Sequence, residues 1–573
     1  MKSLIQSLKP TEKLFFGLCV GAMLLSGLYI LDSLNKKYSV EMPMAGGSYT
    51  EGVVGYARFI NPTLAFSDAD KDMIALVYSG LLKASPEGKL VANLADSWTI
   101  SEDELSYDVK LKSGLTFHDN SPLTADDVVF TIEKMKDPAV KSPKADIWNG
   151  VRVEKVSDTE VKFTLQKPYA AFLENLTFGI LPKHVWKDVD AQGFDVHILN
   201  REPIGSGPYM VKKTEVDASG IYQSYTLSAF KNYALKTPYI DTITVKFFKN
   251  EGDAVAAYKA GDIDGLGGVS PEKATELKKD GYSIVSTSLP RVFALFLNQS
   301  SAPVLTNKEV RKALNESIDR EHVISEVLQG WGSPESGPIP LNLQSQPALG
   351  MSTSTAESMN EKIVAAQKIL TDKGWKLGAD NVFIKETKSG KKVETQRLSF
   401  SISTSNIPEL KKTAEILKDT WTKLGADVSV QIFEPSDLTQ KVIRPRKYDS
   451  LLFGNVIGRD LDIYPFWHSS ERNDPGLNIA LYTNLKADKA LETLRNTSDE
   501  SKRQAAFDTF RSEVSTDIPA IFLYSPGYIY ATNKYVQNIQ LQNMTSISER
   551  FMNIDKWYMH TERIWKILVQ DKN

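Results

Sequence analysis

Apolar residues fill Leu14–Leu31 without interruption, and no comparable block follows. These 18 uncharged residues lie between Lys13 and Asp32. As a helix the block extends about 27 Å, near the roughly 30 Å hydrocarbon core of a bilayer. Being apolar all round at the extreme terminus, it predicts a membrane span rather than a buried core helix. Beyond it the pattern changes to alternation. Tyr107/Val109/Leu111, Val161/Phe163/Leu165, Ile243/Val245/Phe247 and Val428/Val430/Ile432 carry the period of half-buried strands. Residues 46–60, Arg291–Asn298 and Ala520–Tyr524 read as further strands, with Ser525-Pro526-Gly527 as a turn. Helical spacing appears at Val128/Val129/Ile132/Met135, at Val310/Leu314/Ile318/Ile324/Leu328, at Ile363/Ala366/Leu370 and at Leu410/Ala414/Leu417/Trp421/Leu424. Thr124–Asp127 and Thr306–Glu309 have the form of capping boxes, and Gly261, Gly330, Gly374 and Gly425 stand where helices end. The syntax of helix, glycine, strand predicts α/β layers.

Composition narrows the class. The chain has 573 residues, 42% hydrophobic and 24% charged, which fits a folded globular protein of about three to four units. With 68 basic and 71 acidic residues, there is no basic excess for nucleic acid. Five lysines and three acids lie within residues 1–45, so the body beyond holds 63 basic and 68 acidic side chains, a net −5. The sole cysteine, Cys19, lies inside the apolar block, leaving the body free of thiols and compatible with an oxidising compartment. Cys19 follows Leu18 in mid-run, which argues against lipidation there. The block is longer than the apolar core of a cleaved signal, and Pro43-Met44-Ala45 is a poor cleavage site. The expectation is an uncleaved anchor, with a cleaved signal as the alternative. Lys2, Lys9 and Lys13 before the span outnumber Lys36 and Lys37 after it, placing the body outside the cell.

Much chemistry lacks its usual signature. The six histidines have neither helical ligand spacing nor a cysteine neighbour. There is no phosphate-binding Gly-x-x-x-x-Gly-Lys-Ser/Thr loop and no nucleophile elbow. Gly265, Gly267 and Gly268 match a dinucleotide fingerprint only loosely. The acids Asp460 and Asp462 could in principle do acid–base work, although solvated loop acids are the commoner case.

Several phrases resemble, in order, the solute-binding proteins of ABC importers, specifically family 5, which includes dipeptide-, oligopeptide- and nickel-binding members. They are Tyr78–Trp98 (YSGLLKASPEGKLVANLADSW), Tyr107–Pro138 (YDVKLKSGLTFHDNSPLTADDVVFTIEKMKDP) and Ile204–Val211 (IGSGPYMV). Ala257–Gly265 (AYKAGDIDG), Val310–Ile324 (VRKALNESIDREHVI) and Asp517–Ala531 (DIPAIFLYSPGYIYA) follow. The resemblance runs from about Gly46 to about Asp555. On physical grounds Phe117-His118-Asp119 is expected to brace a turn, Gly205 and Gly207 to permit close backbone approach, and Trp98 to pack in a core.

The resemblance implies an α/β, two-lobe, periplasmic-binding-protein-like fold of type II with an extra subdomain in the first lobe, here preceded by one transmembrane helix. The expected order is cytoplasmic 1–13, anchor or uncleaved signal 14–31, linker 32–45, first lobe 46–290 with a subdomain at about 79–204, second lobe 291–515, and a return to the first lobe over 516–573. It implies ligand capture between the lobes, an aspartate for a peptide ammonium, and delivery to a permease. Leu451–His468 resembles the family's Gly-Trp-x-x-Gly-x-Asp-x-Asp-Pro stretch. Asp460 is the first ammonium candidate and Asp462 the second. Arg459 could pair a ligand carboxylate or, more simply, Asp460 or Asp462. Asn455 stands where relatives carry Trp, and Ile463 where they carry Pro; Asn455 and Trp467 complete the expected ligand set. No catalytic residue, metal or cofactor is expected, and the partners are a peptide, permease subunits and the membrane, with the protein monomeric. Rivals are a nickel chelate or oligosaccharide as ligand, a peptide hydrolase, and a structural protein using the fold without transport.

Overall fold

The structure is a computed structural model describing residues 9–340, 359–389, 392–459 and 461–569. A helix spans Pro10–Tyr38, and none of its apolar window packs inside the body. The stretch expected as a linker is ordered: the helix runs through Asp32 to Tyr38, and the strand Ser39–Met44 follows at once, pairing antiparallel with His560–Trp565.

One mixed sheet carries both lobes. Its order begins with Asp427–Phe433, Ser399–Ser405, Ser450–Val456 and Arg291–Leu297. It continues through Ala520–Thr532 to Gly265–Gly267, Ser48–Val54, Thr242–Phe248, Tyr222–Ala229 and Tyr209–Val216. Ala520–Thr532 is the shared member. Ala520–Tyr524 pairs with Phe293–Phe296, whereas Gly527–Ala531 pairs with Ile284–Ser288. Ser525-Pro526-Gly527, expected as a turn, is therefore the middle of a 13-residue strand. Proline is tolerated there because the long strand changes neighbours at that point, and Pro526 faces the short strand Gly332–Pro334. The other crossing is Leu289-Pro290, joined to the first by Ser525 Oγ donating to the Leu289 carbonyl at 3.0 Å.

The apolar cores divide accordingly. Tyr49, Met73, Tyr225, Ile243 and Trp557 belong to the first lobe. Val109, Ile132, Trp148, Phe163 and Phe172 form a separate core for an inserted subdomain. That core ends near Ile180, because Leu181, Trp186 and Phe194 pack with the first lobe. Leu314, Leu417 and Trp421 on one side of the second lobe, and Trp467, Leu491 and Phe510 on the other, enclose its strands. Ala520–Tyr524 packs in these second-lobe cores, so the chain returns at Ser525–Gly527 rather than at 516. The single helix read over 306–328 is two, Lys308–Glu316 and Arg320–Leu328. Asp319 caps the second by accepting from the His322 N–H, while Thr306 turns back to the Pro303 carbonyl.

The Phe-His-Asp phrase stitches the subdomain to the first lobe. His118 Nδ1 accepts from the Gly205 N–H at 3.3 Å, and Nε2 lies 3.1 Å from the Gly207 carbonyl. A Cβ on Gly205 or Gly207 would strike the Val77 backbone, so close approach is why glycine stands there. One ring nitrogen accepts and the other donates, which requires neutral imidazole. Burial accordingly pushes the His118 pKa from 6.5 down to about 4. A depressed folded pKa gives stability that is present above 6.5 and lost as pH falls toward 4. The expected loss from this group is about 2–3 kcal/mol between pH 7 and 4.5. Urea unfolding of the wild type and His118→Gln at both pH values checks it: the gap between them narrows with acid, and an unchanged gap contradicts the assignment.

Candidate ligand-binding cleft

The loop after strand Ser450–Val456 lies against both halves of the molecule. Asn455 is buried near the end of that strand, opposite Val292. The chain then leaves the sheet, and Leu461 takes φ 57°, a left-handed conformation that a leucine adopts at a cost of about 1–3 kcal/mol. Such strain marks a segment whose shape is imposed by its partners.

Arg459 is the first of those partners. Its side chain is 8% exposed, and its Nη2 meets Glu549 at 2.8 Å. Nη1 donates to the Asn543 carbonyl at 2.9 Å, and Nε lies 3.6 Å from the Glu174 carboxylate. Glu549 is itself fixed by the N–H and hydroxyl of Thr545. A second-lobe arginine thus grips the first lobe and its subdomain together. Of the simpler expectation, a pair with Asp460 or Asp462, the Asp462 alternative is corrected. Asp462 instead receives Nε and Nη2 of Arg495 at 3.1 and 2.8 Å, and the Tyr169 hydroxyl at 3.4 Å. The Arg495 guanidinium lies over the Tyr464 ring at 4.2 Å, and its carbonyl accepts from the Ala170 N–H. Ser498 adds a contact to Glu104 of the subdomain. These bonds close the two lobes onto each other, and a solvated role for Asp462 is excluded by its 12% side-chain exposure.

Trp467 is corrected as a ligand contact. It is 1% exposed, ringed by Phe296, Tyr482, Phe510 and Phe522 at 5.8–6.4 Å, and serves the second-lobe core. Asp460 lies outside the described residues.

A residue not singled out from the sequence stands beside the loop. Arg291 opens the strand Arg291–Leu297 and pairs in register with Val456. Its Nε is buried with no hydrogen-bond partner among the described residues. Burial lowers the Arg291 pKa, opposed by the charge of Asp68. Phe66, 80% exposed, comes two residues before Asp68 on the first lobe. The available signal was a charge starting an otherwise apolar strand. A separate cavity of about 310 Å³ lies within the first lobe, bounded by Ile74, Tyr78, Thr177 and Glu549. The buried Tyr78 hydroxyl, beside this cavity, has no hydrogen-bond partner among the described residues.

Comparison with known proteins decides the lineage. The profile of bacterial extracellular solute-binding proteins, family 5, matches residues 89–475. The chain belongs to this family. Oligopeptide-binding protein AppA of Bacillus subtilis is 30% identical over 534 residues, covering 91% of this chain and 93% of AppA. The AppA structure, solved in complex with a nonapeptide, aligns over 91% of this chain and all of that one with a TM-score of 0.67. The substrate-binding protein CtaP of Listeria monocytogenes aligns with a TM-score of 0.74 at 26% identity, over 90% and 99% of the two chains. NikZ of Campylobacter jejuni, in complex with Ni(L-His), gives 0.67 at 26%, over 89% and 99%. As a family 5 member the protein is an extracytoplasmic solute-binding protein with the two-lobe fold. Among the described residues, no three His, Cys, Asp or Glu side chains converge to hold a metal ion.

Proposed function

We propose that this protein captures peptides between its lobes and delivers them to an ABC permease, acting as a binder and not as an enzyme. The observation that carries the reading is the loop holding Arg459 and the strained Leu461, which links a second-lobe strand to first-lobe carboxylates across the interlobe boundary. A fold with two strand crossings, at Leu289-Pro290 and Ser525–Gly527, hinges there with little rearrangement elsewhere. The lobes divide at those crossings. Asp460 takes the peptide ammonium, and Arg291, whose Nε lacks a partner among the described residues, takes an acidic or terminal carboxylate. Both charges must be matched once closure expels water.

The protein is a membrane-anchored monomer. Cleavage near Ala45 would remove Ser39–Met44 and leave His560–Trp565 without its partner, which supports an uncleaved anchor. Tethering holds the protein near its permease and raises effective concentration.

The test is the melting temperature in the presence of a peptide mixture, N-acetylated peptides, oligosaccharides and nickel–histidine. Peptides with a free ammonium raise it and the others leave it unchanged. A shift with sugars or the nickel complex alone sinks the peptide reading. Arg291→Leu is expected to weaken peptide binding about 10-fold or more, from the loss of a charge-assisted hydrogen bond. Mass spectra after prolonged incubation show intact peptide; accumulating fragments would restore the hydrolase.

A further inference from the structure

We infer that the carboxy-terminal segment from Trp565 to Val569 is a second membrane contact, seated in the lipid headgroup layer beside the anchor helix. This rests on the anchor reading above.

The apolar block ends at Leu31, and the helix continues to Tyr38, rising about 10 Å above that level. Ser39–Met44 carries the chain onward into the body. His560–Trp565 is antiparallel to it, with Met44 opposite His560 and Ser39 opposite Trp565. The last strand therefore returns toward the membrane and delivers Trp565 to the end of the helix. Lys566 Nζ then donates to the Lys37 carbonyl at 3.0 Å, satisfying one of the acceptors a helix end leaves open. Lys566–Val569 is a short helical segment continuing from that point.

Its side chains suit that place and no aqueous one. Trp565, Ile567 and Leu568 are 51%, 76% and 63% exposed, and Tyr38 beside them is 47% exposed. Four large exposed apolar residues in the short paired stretch around Ser39 and Trp565 call for an occupant. Tryptophan and tyrosine favour the membrane–water interface, where the ring is buried and the polar atom stays wet. The headgroup layer adds roughly 5–7 Å to each side of the hydrocarbon core. Trp565, opposite Ser39 and about 10 Å above the hydrocarbon edge, stands a few ångströms outside that layer, and Ile567 and Leu568 follow it in the direction of the returning strand. Lys37 and Lys566 supply cations for anionic lipid. The anchor helix and this segment thus hold the body at one orientation over the bilayer, where a single flexible tether would let it tumble.

The test uses the full chain with Cys19→Ser, reconstituted in vesicles of phosphatidylcholine and phosphatidylglycerol. An environment-sensitive fluorophore is placed through Ile567→Cys, and in a parallel sample through Leu24→Cys. The probe at 567 is expected to emit to the blue, to resist aqueous iodide and to be quenched by a spin label near the lipid headgroup. Water-like emission at 567 with a membrane-buried probe at 24 overturns the inference and leaves the anchor standing. Water-like emission at both positions removes the anchor and the inference together. Peptide-induced stabilisation of each labelled protein verifies that the body is folded.

Discussion

Arg550→Met is expected to destabilise the first lobe by about 3–5 kcal/mol, lowering its melting temperature by about 10 °C. Arg550 is 1% exposed and holds three elements at once. Its Nε donates to Glu51 at 2.8 Å, on the strand Ser48–Val54. Its two terminal nitrogens form a fork on Asp72 at 2.6 and 2.7 Å, in the helix Asp68–Val77. Tyr49 and Tyr530 donate to the other Glu51 oxygen at 2.7 and 2.8 Å. Burial pushes the Asp72 carboxyl up, and only the arginine pulls it back. Removing the cation leaves the buried Asp72 carboxylate without the charge that offsets its burial, which favours its protonated form. The deficit should therefore shrink as pH falls toward 5. Calorimetry of the wild type and variant at pH 7 and 5 measures both parts. A loss below about 1 kcal/mol would show that the network is worth no more than a surface pair.

Arg459→Ala is expected to weaken peptide binding by about 30-fold or more while leaving the fold intact. Truncating one partner of a desolvated ion pair costs about 2–5 kcal/mol, and a factor of ten corresponds to about 1.4 kcal/mol. Here that loss falls on the closed state alone, because Glu549 and Glu174 lie across the interlobe boundary. Opening exposes all three groups to water, so the open state loses little. The variant should also show a larger radius of gyration in solution without ligand. Titration calorimetry and small-angle scattering check the two effects. Affinity within threefold of wild type would mean that closure does not depend on this latch.

The same residues show how far the sequence was readable. Several local signals held, although Thr306–Glu309 did not form its capping box because the helix starts from Asn307. Thr124 and Asp127 form the reciprocal cap, and Gly261 and Gly425 end their helices at φ 80° and 108°. The break at Asp319 was present as a cap but hidden by an apolar stripe that ran across it. Ser525-Pro526-Gly527 reads as a turn in isolation and becomes strand only because Gly332–Pro334 and Ile284–Ser288 flank it. Gly265 and Gly267, which touch a nucleotide fingerprint by spacing, are glycine for another reason. A Cβ at either would overlap the hydroxyls of Tyr49 and Tyr528 around the Arg550 network. The partner of Arg459 is 90 residues away and that of Asp462 is 33 away. Nothing in the local order of Arg459, Asp460 and Asp462 announces which acid faces which arginine.

Native mass spectrometry of the freshly purified protein tests the central claim most directly. The expected result is a series of bound masses that, on ejection and fragmentation, read as peptides with free amino termini. A co-purified sugar or metal chelate in their place would contradict it.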